Sequence, residues 1–126
     1  MSMQPRLVVP DPDSAATYYQ KTMGAKEVFR AHDDSGRVMV VVLQVDGSPF
    51  SLSPAVPEWG WLSPDDIGGS PVLLEAEFTD QDAVAERMVA GGATVVVPLE
   101  NRPYGKREGR LRDPFGHLWI ITGELR

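Results

Sequence analysis

A chain of 126 residues with 42% hydrophobic side chains fits one domain with a real core and leaves little room for a second. Its net charge of −6 disfavours nucleic acid and anionic membrane as partners, since both are polyanions. Cysteine is absent, which removes disulfides and thiolate chemistry, and neither a signal-peptide pattern nor an apolar run of membrane-span length is present, so a cytoplasmic chain is expected.

Taken in order, residues 6–9 form a short β-branched run that Pro10 ends. Asp11 and Asp13 are N-cap candidates for a helix over about 13–23, because a carboxylate can accept the free N–H groups of a first turn. Ala16, Tyr19, Gln20 and Met23 fall at helical spacing, with Gln20 as the polar exception, and Gly24 suits the left-handed stop. A strand over 27–31 leads into the turn Asp33-Asp34-Ser35-Gly36. Strands over 38–45 and 48–53 flank Asp46-Gly47, a strong hairpin signal. Residues 54–70, rich in Pro, Gly and Trp, read as an ordered loop, since Trp59 and Trp61 have apolar surface to bury. A strand over 73–78 precedes a helix over about 80–90, capped by Thr79 or Asp80. Its buried face is Val84, Met88 and either Ala85 or Val89, and Gly91-Gly92 ends it. Strands over 94–98, 109–112 and 118–123 follow, with Asp113-Pro114-Phe115-Gly116 as the last turn.

Shifted by 68, the sequence overlays itself: Ala15 meets Ala83, Gly24 meets Gly92, Ala25 meets Ala93 and Val28 meets Val96. The shared order of strand, acidic cap, amphipathic helix, Gly-Ala and strand predicts an α+β fold of two tandem βαβββ modules. Module one covers about 4–54, a connecting loop 55–70 and module two about 71–124, together one domain over 1–126 with eight main strands and two main helices.

The run from Arg102 to Trp119, RPYGKREGRLRDPFGHLW, resembles the C-terminal signature of the glyoxalase/bleomycin-resistance/dioxygenase superfamily, the vicinal oxygen chelate proteins. Its DPFGHxW form is similar to the phosphonate-operon-type subgroup. Val9-Pro10-Asp11, Tyr18-Tyr19 and the run from Met23 to Glu27 resemble the N-terminal half of the same proteins. The resemblance implies two modules whose strands curl into a mixed sheet, a partial barrel with the ligand on its concave side. It implies that the enzymes of the family hold one divalent metal there through His, Glu or Gln from both halves.

The positions that match those ligands are Gln4, Ser51, Pro71 or Val72, and Ile120; two further positions on the middle strand of the first half read Val40 and Val42. Gln4 offers an amide oxygen, Ser51 is a poor ligand at neutral pH, and Val and Ile offer no donor. A stable transition-metal site needs about three or four N, O or S donors, so no metal and no cofactor are expected. Of the two histidines, His32 reads as a surface residue beside a polar turn, and His117 as a residue that fixes the DPFG turn by hydrogen bonding.

Strand alternation places Val38, Val40, Val42 and Gln44 on the ligand side with Ser51 and Ser53, and Arg6 on the face of Gln4. In the second half Leu118, Ile120 and Thr122 face the ligand with Glu108, Arg110 and Arg112, while Leu111, Trp119 and Ile121 pack outward. An apolar centre ringed by Arg, Gln and Ser suits a small organic ligand, anionic or aromatic. Arg110 is the candidate anchor, because a guanidinium can hold a carboxylate by two bonds; the competing role is an ion pair with Glu108, Glu75 or Glu77. Trp59, Trp61 and Tyr104 can stack on a flat ligand, or the tryptophans can plug the sheet's end or bury against a second subunit. Gly105 and Gly109 read as backbone punctuation, and neither a nucleotide fingerprint nor a Ser-His-Asp, Cys-His or paired-carboxylate arrangement is present.

The expected function is metal-independent small-molecule binding of the bleomycin-resistance type, with drug or metabolite sequestration as its use. The alternatives are a divalent-metal-dependent lyase, isomerase or dioxygenase with its ligands elsewhere, and an interaction protein whose cavity is filled by its own side chains. A symmetric homodimer is expected, because curved sheets leave strand edges to cover. The resemblance adds exchange of the N-terminal strand, with Pro5 as pivot.

Overall fold

A carboxylate, then a proline, starts the first helix in the computed structural model, which describes residues 1–126. Asp11 is extended (φ −139°) and its carboxylate accepts from Asp13 N at 3.1 Å and Ser14 Oγ at 2.6 Å; Pro12 fills the first helical position, where no N–H is needed. Helix α1 (Pro12–Met23) ends at Gly24, whose φ of 70° is the left-handed conformation a C-terminal stop requires.

The chain divides into two compact units, residues 1–68 and 69–126. In the first, β1 (Arg6–Val9), β2 (Lys26–His32), β3 (Val38–Val45) and β4 (Ser48–Pro54) form a mixed sheet in the order β1-β4-β3-β2, with only β1 and β4 parallel. Leu7, Val9, Val41, Leu43 and Leu52 are buried with Ala15, Ala16, Tyr19 and Met23 of α1, and Tyr19 meets Phe50 edge-on at 5.3 Å. Gln20 is exposed; Tyr18 and Thr22 are buried instead, and the Thr22 hydroxyl is satisfied by Tyr18 O at 2.8 Å. Pro5 stands directly before β1. Its carbonyl accepts from Ser51 N at 3.0 Å and β1 pairs in register with β4 of its own chain.

Residues 54–70 are more regular than an ordered loop. A 3₁₀ turn (Pro57–Trp59) and the short helix α2 (Pro64–Ile67) occupy them. Val56 and Trp61 exchange backbone hydrogen bonds of 2.9 and 3.2 Å, and Ser63 N donates to Asp66 Oδ2 at 2.9 Å. Trp59 does not bury its ring in this chain; it stays 62% exposed.

The second unit repeats the order with β5 (Leu73–Glu77), α3 (Gln81–Ala90), β6 (Thr94–Asn101), β7 (Arg107–Arg112) and β8 (Leu118–Gly123), giving the sheet β5-β8-β7-β6. Val84, Ala85 and Met88 bury the α3 face with Leu111, Trp119 and Ile121, whereas Val89 points outward. Asp80 stands at the helix start without a capping bond; its carboxylate lies 3.6 Å from Arg87 instead. Strands β6 and β7 run further than their β-branched cores suggest, because the ladder continues through Glu100↔Glu108 and Asn101↔Arg107 past two irregularities. Pro98 is tolerated there because β6 is an edge strand and Pro98 lies at a register shift. Gly109 of β7 is needed at that crossing: a Cβ on it would stand 2.8 Å from Leu99 N.

Three of the hairpin turns share one design. In 33–37, 102–106 and 113–117 the N–H of the first residue donates to the carbonyl of the fifth (2.9, 2.7 and 2.9 Å), and a glycine in fourth place, with φ of 88°, 90° and 91°, donates back to the first. Asp33 and Asp113 also lock their turns through their carboxylates. Asp113 is buried and its carboxylate accepts Phe115 N (2.9 Å), His117 N (3.0 Å) and Trp119 Nε1 (2.8 Å). The last turn is therefore held by Asp113 together with the main chain of His117. Replacing Asp113 with Ala should cost about 2–4 kcal/mol, since three donors lose a charged acceptor inside the fold. Asp33→Ala, at an exposed turn, should cost about 1 kcal/mol or less. Urea unfolding of the two variants checks the ranking.

Candidate functional site

The face of the first sheet turned away from α1 is defined by the ladder. Arg6 pairs with Ser51, Ser51 with Val42, and Val42 with Phe29, so these four form one row across all four strands. Val8 and Ser53 are partners one step along. The Val side chains of β3 on this face, Val38, Val40 and Val42, are half-buried, as is Gln44.

Arg6 is the polar centre of the row. Its Nε donates to Ser51 Oγ at 3.1 Å, and its guanidinium carbon stands 5.9 Å from the centre of the Trp61 ring. Trp61 in turn meets Trp59 edge-on at 5.0 Å. Arg6 enters no ion pair. The guanidinium is thus oriented by one neutral acceptor and one ring, with its two terminal amino groups free of any carboxylate. Gln4 is exposed ahead of β1 and outside the register.

The second unit carries a different polar centre. On its face turned away from α3, Glu75, Ile120, Arg110 and Val97 form one row, and Glu77, Thr122, Glu108 and Glu100 the next. Glu108 is buried. Its Oε1 accepts from the Tyr104 hydroxyl and lies 3.6 Å from Arg110 Nη2, while Lys106 Nζ sits 3.0 Å from Glu77. The Tyr104 hydroxyl, then Thr122 and the charges of Arg110 and Arg102, hold the Glu108 carboxyl below the usual carboxylate range against the opposing effect of burial.

Of the expected site residues, Arg6, Ser51, Val40, Val42, Trp59 and Trp61 belong to the first unit, and Tyr104, Arg110 and Ile120 to the second. Arg110, expected as a carboxylate anchor, already has Glu108 as its partner, the competing role set out from sequence. Arg6, by contrast, has no ion-pair partner. Phe29 was absent from the expected face because a register shift between Glu27 and Phe29 breaks strict alternation. The Tyr104–Glu108 bond spans a turn, and its only trace in the sequence is the inward position of Glu108. Trp119 is core, with its ring N–H on Asp113, and His32 is exposed at the end of β2.

These donors do not suit a divalent metal. Ser51 Oγ is engaged by a cation, Ile120 has no donor atom, and no group of three or more His, Cys, Asp or Glu side chains is placed to hold an ion.

The profile of the Glyoxalase/Bleomycin resistance protein/Dioxygenase superfamily matches residues 3–121. An uncharacterized protein of Mycobacterium bovis is 35% identical over 128 aligned positions, covering 99% of this chain and 84% of its own length. TioX from Micromonospora sp. ML1 superposes with a TM-score of 0.74 at 25% identity, over 100% of this chain and 98% of that one. FosX from Listeria monocytogenes, solved with Mn(II) and sulfate, superposes with a TM-score of 0.72 at 15% identity over 98% and 91%, a likeness of fold alone.

The Glu108 environment is open to titration. Its folded pKa lies below the unfolded value, so its contribution to stability is present above about pH 4.3 and is lost as pH falls through the folded pKa. Carboxyl-detected NMR should place the Glu108 midpoint below that of an ordinary Glu, and Tyr104→Phe should raise it. Equal midpoints in the two proteins would remove Tyr104 as the cause.

Proposed function

The chain belongs to the glyoxalase/bleomycin resistance protein/dioxygenase superfamily, and we propose that it acts there as a metal-independent binding protein for a small, flat, anionic ligand. The observation that carries this reading is Arg6, pinned through Nε to Ser51 and against Trp61, with no carboxylate partner. A ligand carboxylate meets the two free amino groups of a guanidinium as a fork, and such charge-assisted pairs are the stronger hydrogen bonds. Trp61, Trp59, Val42 and Phe29 supply the apolar and aromatic surface for the ligand body.

Turnover is not part of the proposal. Glu108, the buried carboxylate, is held in its ionised form by its donors and is a weak base for that reason. Sequestration of a drug or metabolite in the cytoplasm fits such a site. We further propose that the two modules act as one domain and that the chain pairs as a homodimer, for which exposed Trp59, Leu62 and Ile67 offer apolar surface.

Three measurements test the proposal. Elemental analysis of protein purified without chelator should find far less than one divalent metal per chain; one per chain would overturn metal independence. Titration of aromatic carboxylates, followed by tryptophan emission, should give saturable binding that Arg6→Ala weakens by about 1.5–3 kcal/mol, and an unchanged Kd would remove Arg6 as the anchor. Light scattering should return twice the 13.8 kDa chain mass; the mass of one chain would defeat the dimer.

A further inference from the structure

Glu108 and Arg110 lie two residues apart on one face of β7, and they meet as an ion pair at 3.6 Å, longer than a hydrogen bond. Neither group is exhausted by this contact. The arginine side chain is 40% exposed and makes no hydrogen bond elsewhere, and the carboxylate retains acceptor capacity beyond the Tyr104 hydroxyl. An anion that approaches Arg110 also approaches the Glu108 charge, and a cation that approaches Glu108 also approaches Arg110. The pair therefore offsets most of the attraction for a net charge of either sign while offering a donor and an acceptor side by side.

Beside the pair stands a flat surface. The Tyr104 hydroxyl is tied to Glu108, yet the residue is 61% exposed, so the ring is held in place from its polar end and leaves apolar surface uncovered. Ile120, the cross-strand partner of Arg110, adds half-buried apolar surface.

We propose that Glu108 is a specificity-determining residue, and that with Arg110 and Tyr104 it makes the second unit's face a binding site for a neutral planar carboxamide on an aromatic ring. The amide N–H donates to Glu108, the amide carbonyl accepts from Arg110, and the ring lies along Tyr104. The site is built from residues of the second unit and requires none of those around Arg6.

The test is an NMR titration of ¹⁵N-labelled protein with naphthalene-2-carboxamide and, in parallel, 2-naphthoate. The carboxamide should shift the amides of residues 108–112 and the Arg110 side-chain N–H saturably, while 2-naphthoate leaves them in place. Arg110→Ala should weaken the carboxamide at this site at least about fivefold. Glu108→Gln keeps an acceptor for Tyr104 and removes the charge, so 2-naphthoate should bind there about tenfold or more tighter than to the wild type. The proposal is overturned if 2-naphthoate shifts residues 108–112 of the wild type as strongly as the carboxamide, if the carboxamide gives no saturable shift there up to about 5 mM, or if Arg110→Ala binds it unchanged. Should Glu108→Gln not fold, the wild type and Arg110→Ala decide. Failure of the Arg6 reading shows separately, as loss of 2-naphthoate shifts around Arg6, Ser51 and Trp61.

Discussion

The carboxylate of Asp113 gathers two backbone N–H groups and the Trp119 ring N–H, and the β7–β8 register follows from that contact. With the turn held, Arg112 faces Leu118 and Arg110 faces Ile120. A slip of one residue would turn Glu108 and Arg110 toward the helix and bring Leu111 to the opposite face, because side chains alternate with period two. Which polar groups share the second face therefore depends on this one buried acceptor. It also explains why a tryptophan can be core here without leaving its ring N–H unsatisfied.

The two units use the same turn grammar and then depart from it where side chains matter. The turn at 33–37 has an aspartate first, which accepts from Ser35 and Arg37; the corresponding turn at 102–106 has Arg102. Arg102 reaches out to the carbonyls of Pro98 and Glu108, and Tyr104, two residues on, bonds Glu108. A second departure lies between helix and edge strand. In the first unit Arg30 crosses there, paired with Asp13 at 2.7 Å and Glu27 at 2.8 Å. Shifted by 68, Arg30 and Glu27 become Pro98 and Val95, and the same place is an apolar groove of about 490 Å³ lined by Val89, Val95, Pro98, Leu99 and Leu111.

What the sequence made legible were the features with a local cause. Asp46-Gly47 marks its hairpin because both residues take positive φ, 48° and 79°, and few other pairs tolerate that. Residues 38–45 and 118–123 match β3 and β8 because their apolar runs are bounded by turns. The extension of β6 past Pro98 was not legible, since a proline argues against a strand until its place at an edge is known. Nor was α2, only four residues long, with its start fixed by a contact between Ser63 and Asp66. The site residues were legible by face but not by role. Alternation places Arg6 and Arg110 correctly, yet which guanidinium is free depends on side-chain positions that no spacing reports.

That difference of role comes from the cross-strand neighbourhood. Arg6 stands opposite Ser51, a neutral acceptor that orients the guanidinium and leaves its charge undiminished. Arg110 stands opposite Ile120, with the ionised Glu108 two residues back on its own strand, so the field it presents to a ligand is largely cancelled close by. One residue type on matching faces of two related units thus stands in opposite electrostatic settings. The selecting groups are a serine hydroxyl in one unit and a buried carboxylate in the other. For Glu108 the burial matters: an exposed carboxylate would be screened by water on all sides, whereas the buried one, beside a partly exposed arginine, offsets more of its charge.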